Sequence, residues 1–143
     1  EKPDTPHEID IEMTGSWGDA NLFFTTHDPD VQSPSQNFYE PLTGDHTTHR
    51  FTWRPEEIVW SSYHGHVAGQ ADPPNPIIEQ RSNDNHGKPA VARYVGPVIP
   101  QDLNERVLVN FWIFNEKLPD PAPSDGKEQE LVVHSFHFTP LSE

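Results

Sequence analysis

The sequence predicts an all-β fold, an antiparallel β-sandwich of the jelly-roll, concanavalin-like kind, and three observations carry that expectation. Several short segments are rich in apolar and β-branched residues, clusters of turn residues separate them, and helical periodicity is nowhere sustained. The 16 prolines, with only 32% hydrophobic residues and a mean hydropathy of -0.78, point to many loops around a lean core. Aromatic residues make up 10% of the chain, which argues against disorder.

The first strand is expected over His7-Glu8-Ile9-Asp10-Ile11-Glu12-Met13. Alternate residues of a strand point the same way, so Glu8, Asp10 and Glu12 line one face while Ile9, Ile11 and Met13 enter a core. Same-side neighbours lie roughly 6.5 to 7 Å apart, which puts the Cα atoms of Glu8 and Glu12 about 13 Å apart. Two Glu side chains leaning together close much of that gap, toward the carboxyl separation of about 5 to 5.5 Å that a retaining glycosidase needs. A charged edge strand that discourages aggregation would give the same pattern. Thr14 to Asp19 supply turn residues, and Asn21 to His27 is expected as the second strand. Its two registers turn either Asn21, Phe23, Thr25 and His27 or Leu22, Phe24 and Thr26 toward the carboxylates, and the first is preferred as the more polar. Asp28 to Asp45, with prolines at 29, 34 and 41, reads as a loop. Thr47 to Arg54 and Ile58 to Tyr63 form a hairpin, with Pro55 at the second position of a type I turn. Residues 69 to 90 are expected to be a long loop or insertion. Arg106 to Phe114 and Glu130 to Phe138 read as the closing strands, and Pro140 stops the last one.

At 143 residues the chain is expected to be one domain. Its net charge of -14 excludes electrostatic attraction to nucleic acid or an anionic membrane but does not penalise a neutral sugar. No apolar run approaches the roughly 20 residues that span a bilayer, so membrane insertion is not expected. Without cysteine there is neither a disulfide framework nor thiolate chemistry.

Four stretches, in order, resemble glycoside hydrolase family 16, the lichenases, laminarinases and xyloglucan-active enzymes. His7 to Glu12 looks like that family's catalytic Glu-x-Asp-x-Glu strand. His49 to Trp60 looks like its His-x-(Tyr/Phe)-x-x-x-Trp-x-Pro hairpin, with the Trp displaced by one or two places. Ile99-Pro100 with Val109-Asn110-Phe111-Trp112 is similar to its Ile-Pro and Asn-Leu-Trp segments, and Glu130 to Pro140 to its closing strand. The resemblance implies Glu8 as nucleophile, Glu12 as acid/base and Asp10 as the carboxylate that tunes them. It also implies Trp112 and Asn110 around the sugar, where the polar register of the second strand adds Thr25 and His27 and the loop after the first strand adds Trp17. Crowded carboxylates cannot all ionise cheaply, so one should hold a proton near neutral pH.

The expected function is therefore hydrolysis of a β-linked polysaccharide by double displacement, at an extracellular, periplasmic or cell-surface location, with no cofactor. Only Glu1 to Pro6 precede the catalytic strand, where family members carry roughly a hundred residues. The chain is thus expected to be the C-terminal half of a jelly roll, incomplete at its N-terminus and partnered by the missing half. The family's structural calcium is not expected, because His134 stands where its Asp would be. Two other readings compete: a lectin-like sandwich that binds sugar without cleaving it, and a jelly-roll metal site built from His64 and His66 with His46, His49, His134 or His137.

Overall fold

The computed structural model describes residues 7–17, 20–27, 35–39, 44–68, 78–79, 88–89, 91–100, 106–113, 122–123 and 125–141. Among these the fold is all-β and antiparallel, as the segment pattern predicts, with no helix. The chain divides into two units, Glu1–Leu103 and Asn104–Glu143.

The first unit holds two three-stranded sheets. One has β1 (Glu8–Trp17), β2 (Ala20–His27) and β3 (Ser35–Phe38) in that order. The other has β4 (Thr47–Arg54), β5 (Glu57–His64) and then β8 (Val91–Val95). A small ladder joins β6 (Ile78–Glu79) to β7 (Lys88–Pro89); these four are the described residues of the long segment 69–90.

The two sheets face each other across one apolar layer. Leu22, Phe24 and Phe38 come from the first sheet and Ile58, Trp60 and Ala92 from the second, with Ile9, Ile11, Trp53, Tyr94 and Ile99 packed around them. Phe24 lies nearly parallel to Trp60, with ring centroids 6.0 Å apart, and tilts against Phe38 at 5.3 Å. Such aromatic contacts add to the burial of their area, which is the main force joining the sheets. Polar links tie the segment after β8 to both sheets: the buried Thr26 Oγ1 donates to Val98 O at 3.0 Å, and Trp53 Nε1 to Pro100 O at 3.0 Å. The Ile99-Pro100 segment is thereby held against the core.

The β4–β5 hairpin pairs from Thr47 opposite His64 to Arg54 opposite Glu57, leaving Pro55 and Glu56 as the turn. At its other end Gly65 takes φ +79°, a conformation that costs a side chain about 1 to 2 kcal/mol. That turn lets the Gly65 N–H donate to His46 O at 2.8 Å while Thr48 Oγ1 donates to Gly65 O at 2.7 Å.

Four expectations need correction. Thr14 to Ser16 continue β1 rather than turning, through a register irregularity between Met13 and Trp17. Met13 lies at that irregularity and is exposed, whereas Ile9 and Ile11 reach the core as the alternation predicts. The polar stretch Asp28 to Asp45 contains β3, because the adjacent β2 offers a free edge and Phe38 an anchor in the core. Arg106 to Phe114 and Glu130 to Phe138 were expected as strands, yet among the described residues neither belongs to a sheet. A strand needs a ladder partner, and apolar sequence alone does not supply one.

In the second unit the described residues are exposed apart from a half-buried Pro123, and Trp112 keeps 66% of its surface. A turn forms at Pro123 to Gly126, where the Gly126 N–H donates to Pro123 O at 2.9 Å and Gly126 takes φ +66°. Asp125 Oδ1 accepts from the Lys127 N–H at 3.1 Å.

Candidate functional site

The site is the face of the β1–β2–β3 sheet opposite the apolar layer. Glu8 pairs with His27, Asp10 with Thr25 and Glu12 with Phe23, so these six side chains share one face. The same register sends Ile9, Ile11, Leu22, Phe24 and Thr26 to the other side. The carboxylate row is therefore backed by the best-packed part of the molecule.

β3 extends the face by two polar residues that the sequence did not single out, Ser35 opposite Thr25 and Asn37 opposite Phe23. Thr25 Oγ1 donates to Ser35 Oγ at 3.1 Å, and Ser35 Oγ donates to Asn37 Oδ1 at 2.9 Å. The signal that could have found them is faint: a proline-free run between Pro34 and Pro41 that carries Phe38-Tyr39. Thr25 and Phe23 are buried, Asp10 and Glu12 half-buried, and Glu8 exposed. Acidity thus concentrates at the outer strand of the sheet.

Glu8, Asp10 and His27 offer oxygen and nitrogen atoms that all lie within 4.8 Å of one another. The closest contact is His27 Nε2 to Asp10 Oδ2 at 3.0 Å, which runs diagonally between neighbouring cross-strand pairs. The Asp10 carboxyl is raised from 3.8 to about 6: burial is the largest cause, the charges of Glu8 and Glu12 add to it, and the charge and hydrogen bond of His27 oppose them. Crowding alone predicts a protonated carboxyl at the acid position; the carboxyl that gains proton affinity is instead the middle one, Asp10, and burial contributes more to it than crowding.

Of the other residues expected around a sugar, Trp17 ends β1 opposite Ala20, and its side chain lies outside the described residues. Asn110 and Trp112 belong to the second unit, on exposed chain. The histidines named for a metal site part company within the first unit. His46 and His66 meet edge to face with ring centroids 4.3 Å apart. His49 has both ring nitrogens taken by hydroxyls, Nδ1 with Ser62 Oγ at 2.7 Å and Nε2 with Thr47 Oγ1 at 2.9 Å. Burial lowers its pKa from 6.5 to about 4, so it stays neutral across the physiological range.

The arrangement supplies charged acceptors on a firm sheet, a carboxyl able to hold a proton near pH 6, and hydroxyl and amide groups beside them. These are groups that can transfer protons and form hydrogen bonds. Comparison with protein-family models, with curated proteins and with solved structures found no match for this chain.

Proposed function

We propose that this chain carries the reacting carboxylates of a retaining glycosidase acting on a β-linked polysaccharide of the β-glucan type. The observation that supports it most is the shared orientation of Glu8, Asp10 and Glu12 on the polar face of a sheet whose other face is locked into the core. A merely solvated edge strand has no need of a middle carboxyl whose proton affinity is raised by burial and by its neighbours.

In this reading Glu8 attacks the anomeric carbon and the glycosidic bond breaks as Glu12 gives its proton to the departing oxygen. The resulting glycosyl ester at Glu8 is cleaved when Glu12, now ionised, takes a proton from water and the water oxygen bonds to the anomeric carbon. Asp10 sits between them and adjusts the charge of the row. Ser35 and Asn37 extend the polar face along which hydroxyls of the chain would bind. Further strands of the same domain would cover the exposed apolar segments 106–113 and 131–138 and complete the sugar face.

The test is hydrolysis of β-glucan by the protein containing this chain, measured as new reducing ends. Glu8→Gln should lower the rate by at least about 10³-fold. Wild-type rates in that variant would refute the assignment of the nucleophile. Undiminished sugar binding with no hydrolysis by the wild-type protein would favour a noncatalytic, lectin-like sandwich instead.

A further inference from the structure

The sequence suggests His27 as a residue that touches sugar; its position also sets it against the carboxylate row. His27 closes β2 directly opposite Glu8, and its ring crosses diagonally to put Nε2 3.0 Å from Asp10 Oδ2. The His27 side chain keeps 41% of its surface and that of Asp10 27%, so water reaches both and the pair is an adjustable contact rather than a sealed one.

We propose that His27 is a positioning residue for the carboxylate row: bonded to Oδ2, it fixes the Asp10 carboxyl and leaves Oδ1 as the oxygen that exchanges a proton with its neighbours. The chemistry follows from the donor inventory. An imidazole N–H aimed at Oδ2 occupies that oxygen, so a proton arriving at Asp10 goes to Oδ1. Protonated there, Asp10 becomes a hydrogen-bond donor beside Glu8, one of whose oxygens lies within 4.8 Å of a carboxyl oxygen of Asp10. Ionised, it is one more negative charge in the row. His27 favours the ionised form, opposing the burial and like charges that favour the protonated one. The charged groups acting on Asp10 are Glu8 and Glu12 from its own strand and His27 from β2. Thr25, Ser35 and Asn37 on the same face carry no charge.

The inference rests on the glycosidase reading of Glu8 and Glu12 for its catalytic consequence, but its physical content does not. Two measurements separate them. In the full 143-residue chain, carboxyl-carbon NMR follows the titration of Asp10. His27→Ala should raise its midpoint by about one pH unit, and His27→Gln, which restores an uncharged N–H at similar reach, should bring it part of the way back. An unchanged midpoint in His27→Ala would overturn the proposal whatever the protein's activity, and near-ultraviolet circular dichroism checks that the variant is folded.

The second measurement is the pH profile of kcat/KM on β-glucan. Its acid limb should move with the Asp10 midpoint in both variants. A change in KM alone, with an unmoved limb, would make His27 a sugar contact and overturn the positioning role. A shifted NMR midpoint in a protein without hydrolytic activity would leave the pairing established and defeat the glycosidase reading instead.

Discussion

Two half-buried ionisable groups in the first unit pull the stability of the fold in opposite directions over the same range of pH. His49 has its pKa lowered from 6.5 to about 4 by burial. Between those values the unfolded chain binds more protons than the folded one, so the contribution of His49 is fully present above pH 6.5 and lost as pH falls toward 4. Asp10 has its pKa raised from 3.8 to about 6. Here the folded state binds more protons, so the contribution is present below about 3.8 and lost as pH rises through 6. At about 1.4 kcal/mol per pH unit each effect approaches 3 kcal/mol, and partial exposure to solvent reduces it to about 2 kcal/mol. The two should nearly cancel in the wild-type chain, whose stability in urea, followed by tryptophan fluorescence, is predicted to change by less than about 1 kcal/mol between pH 4 and 6.5. Replacing either group uncovers the other. Asp10→Asn should gain about 2 kcal/mol of stability as pH rises across that window, and His49→Gln should lose about 2 kcal/mol. Equal slopes in the two variants would refute the reasoning, since opposite signs are its core.

Other predictions concern what joins the sheets and what does not. Trp60→Ala removes the stack on Phe24 and opens the shared layer; it should lower unfolding stability by about 3 to 5 kcal/mol, read from the urea midpoint. Glu57 is bonded by Arg54 and Arg93 at 2.6 Å each, and the Arg93 bond is the main cause of its lowered pKa, yet these contacts face solvent. Glu57→Gln should leave Tm unchanged, because exposed ion pairs add little to stability.

What the sequence could announce was whatever depends on period and turn chemistry. Ile9 and Ile11 alternate with carboxylates, and one face had to be wet, so β1 could be read directly. The preference for a polar face in β2 identified Thr25 and His27 as neighbours of the row, and Pro55 marked the hairpin turn. What stayed hidden was pairing. Ser35 to Phe38 has one apolar side chain and became a strand because β2 had an open edge, a property of the sheet rather than of those four residues. Val91 to Val95 went unnoticed at the end of a proline-rich stretch, although its Ala92 and Tyr94 reach the core. Val107 to Ile113 shows the converse, since its composition suits a strand, yet among the described residues it joins no sheet ladder. The diagonal from His27 to Asp10 was likewise illegible, because it depends on register and ring direction together.

The exposed stretch Val107 to Ile113 also bears on how the chain behaves in concentrated solution. Val-Leu-Val-Asn-Phe-Trp-Ile carries no charge and no proline, the composition of segments that stack into cross-β fibres. Mutual repulsion from a net charge of -14 keeps molecules apart at neutral pH, and that repulsion vanishes near the isoelectric point of about 4.8. The acidity of the chain thus sets its colloidal limit: acidification toward the isoelectric point removes the barrier that separates a dispersed solution from a fibrous or amorphous precipitate.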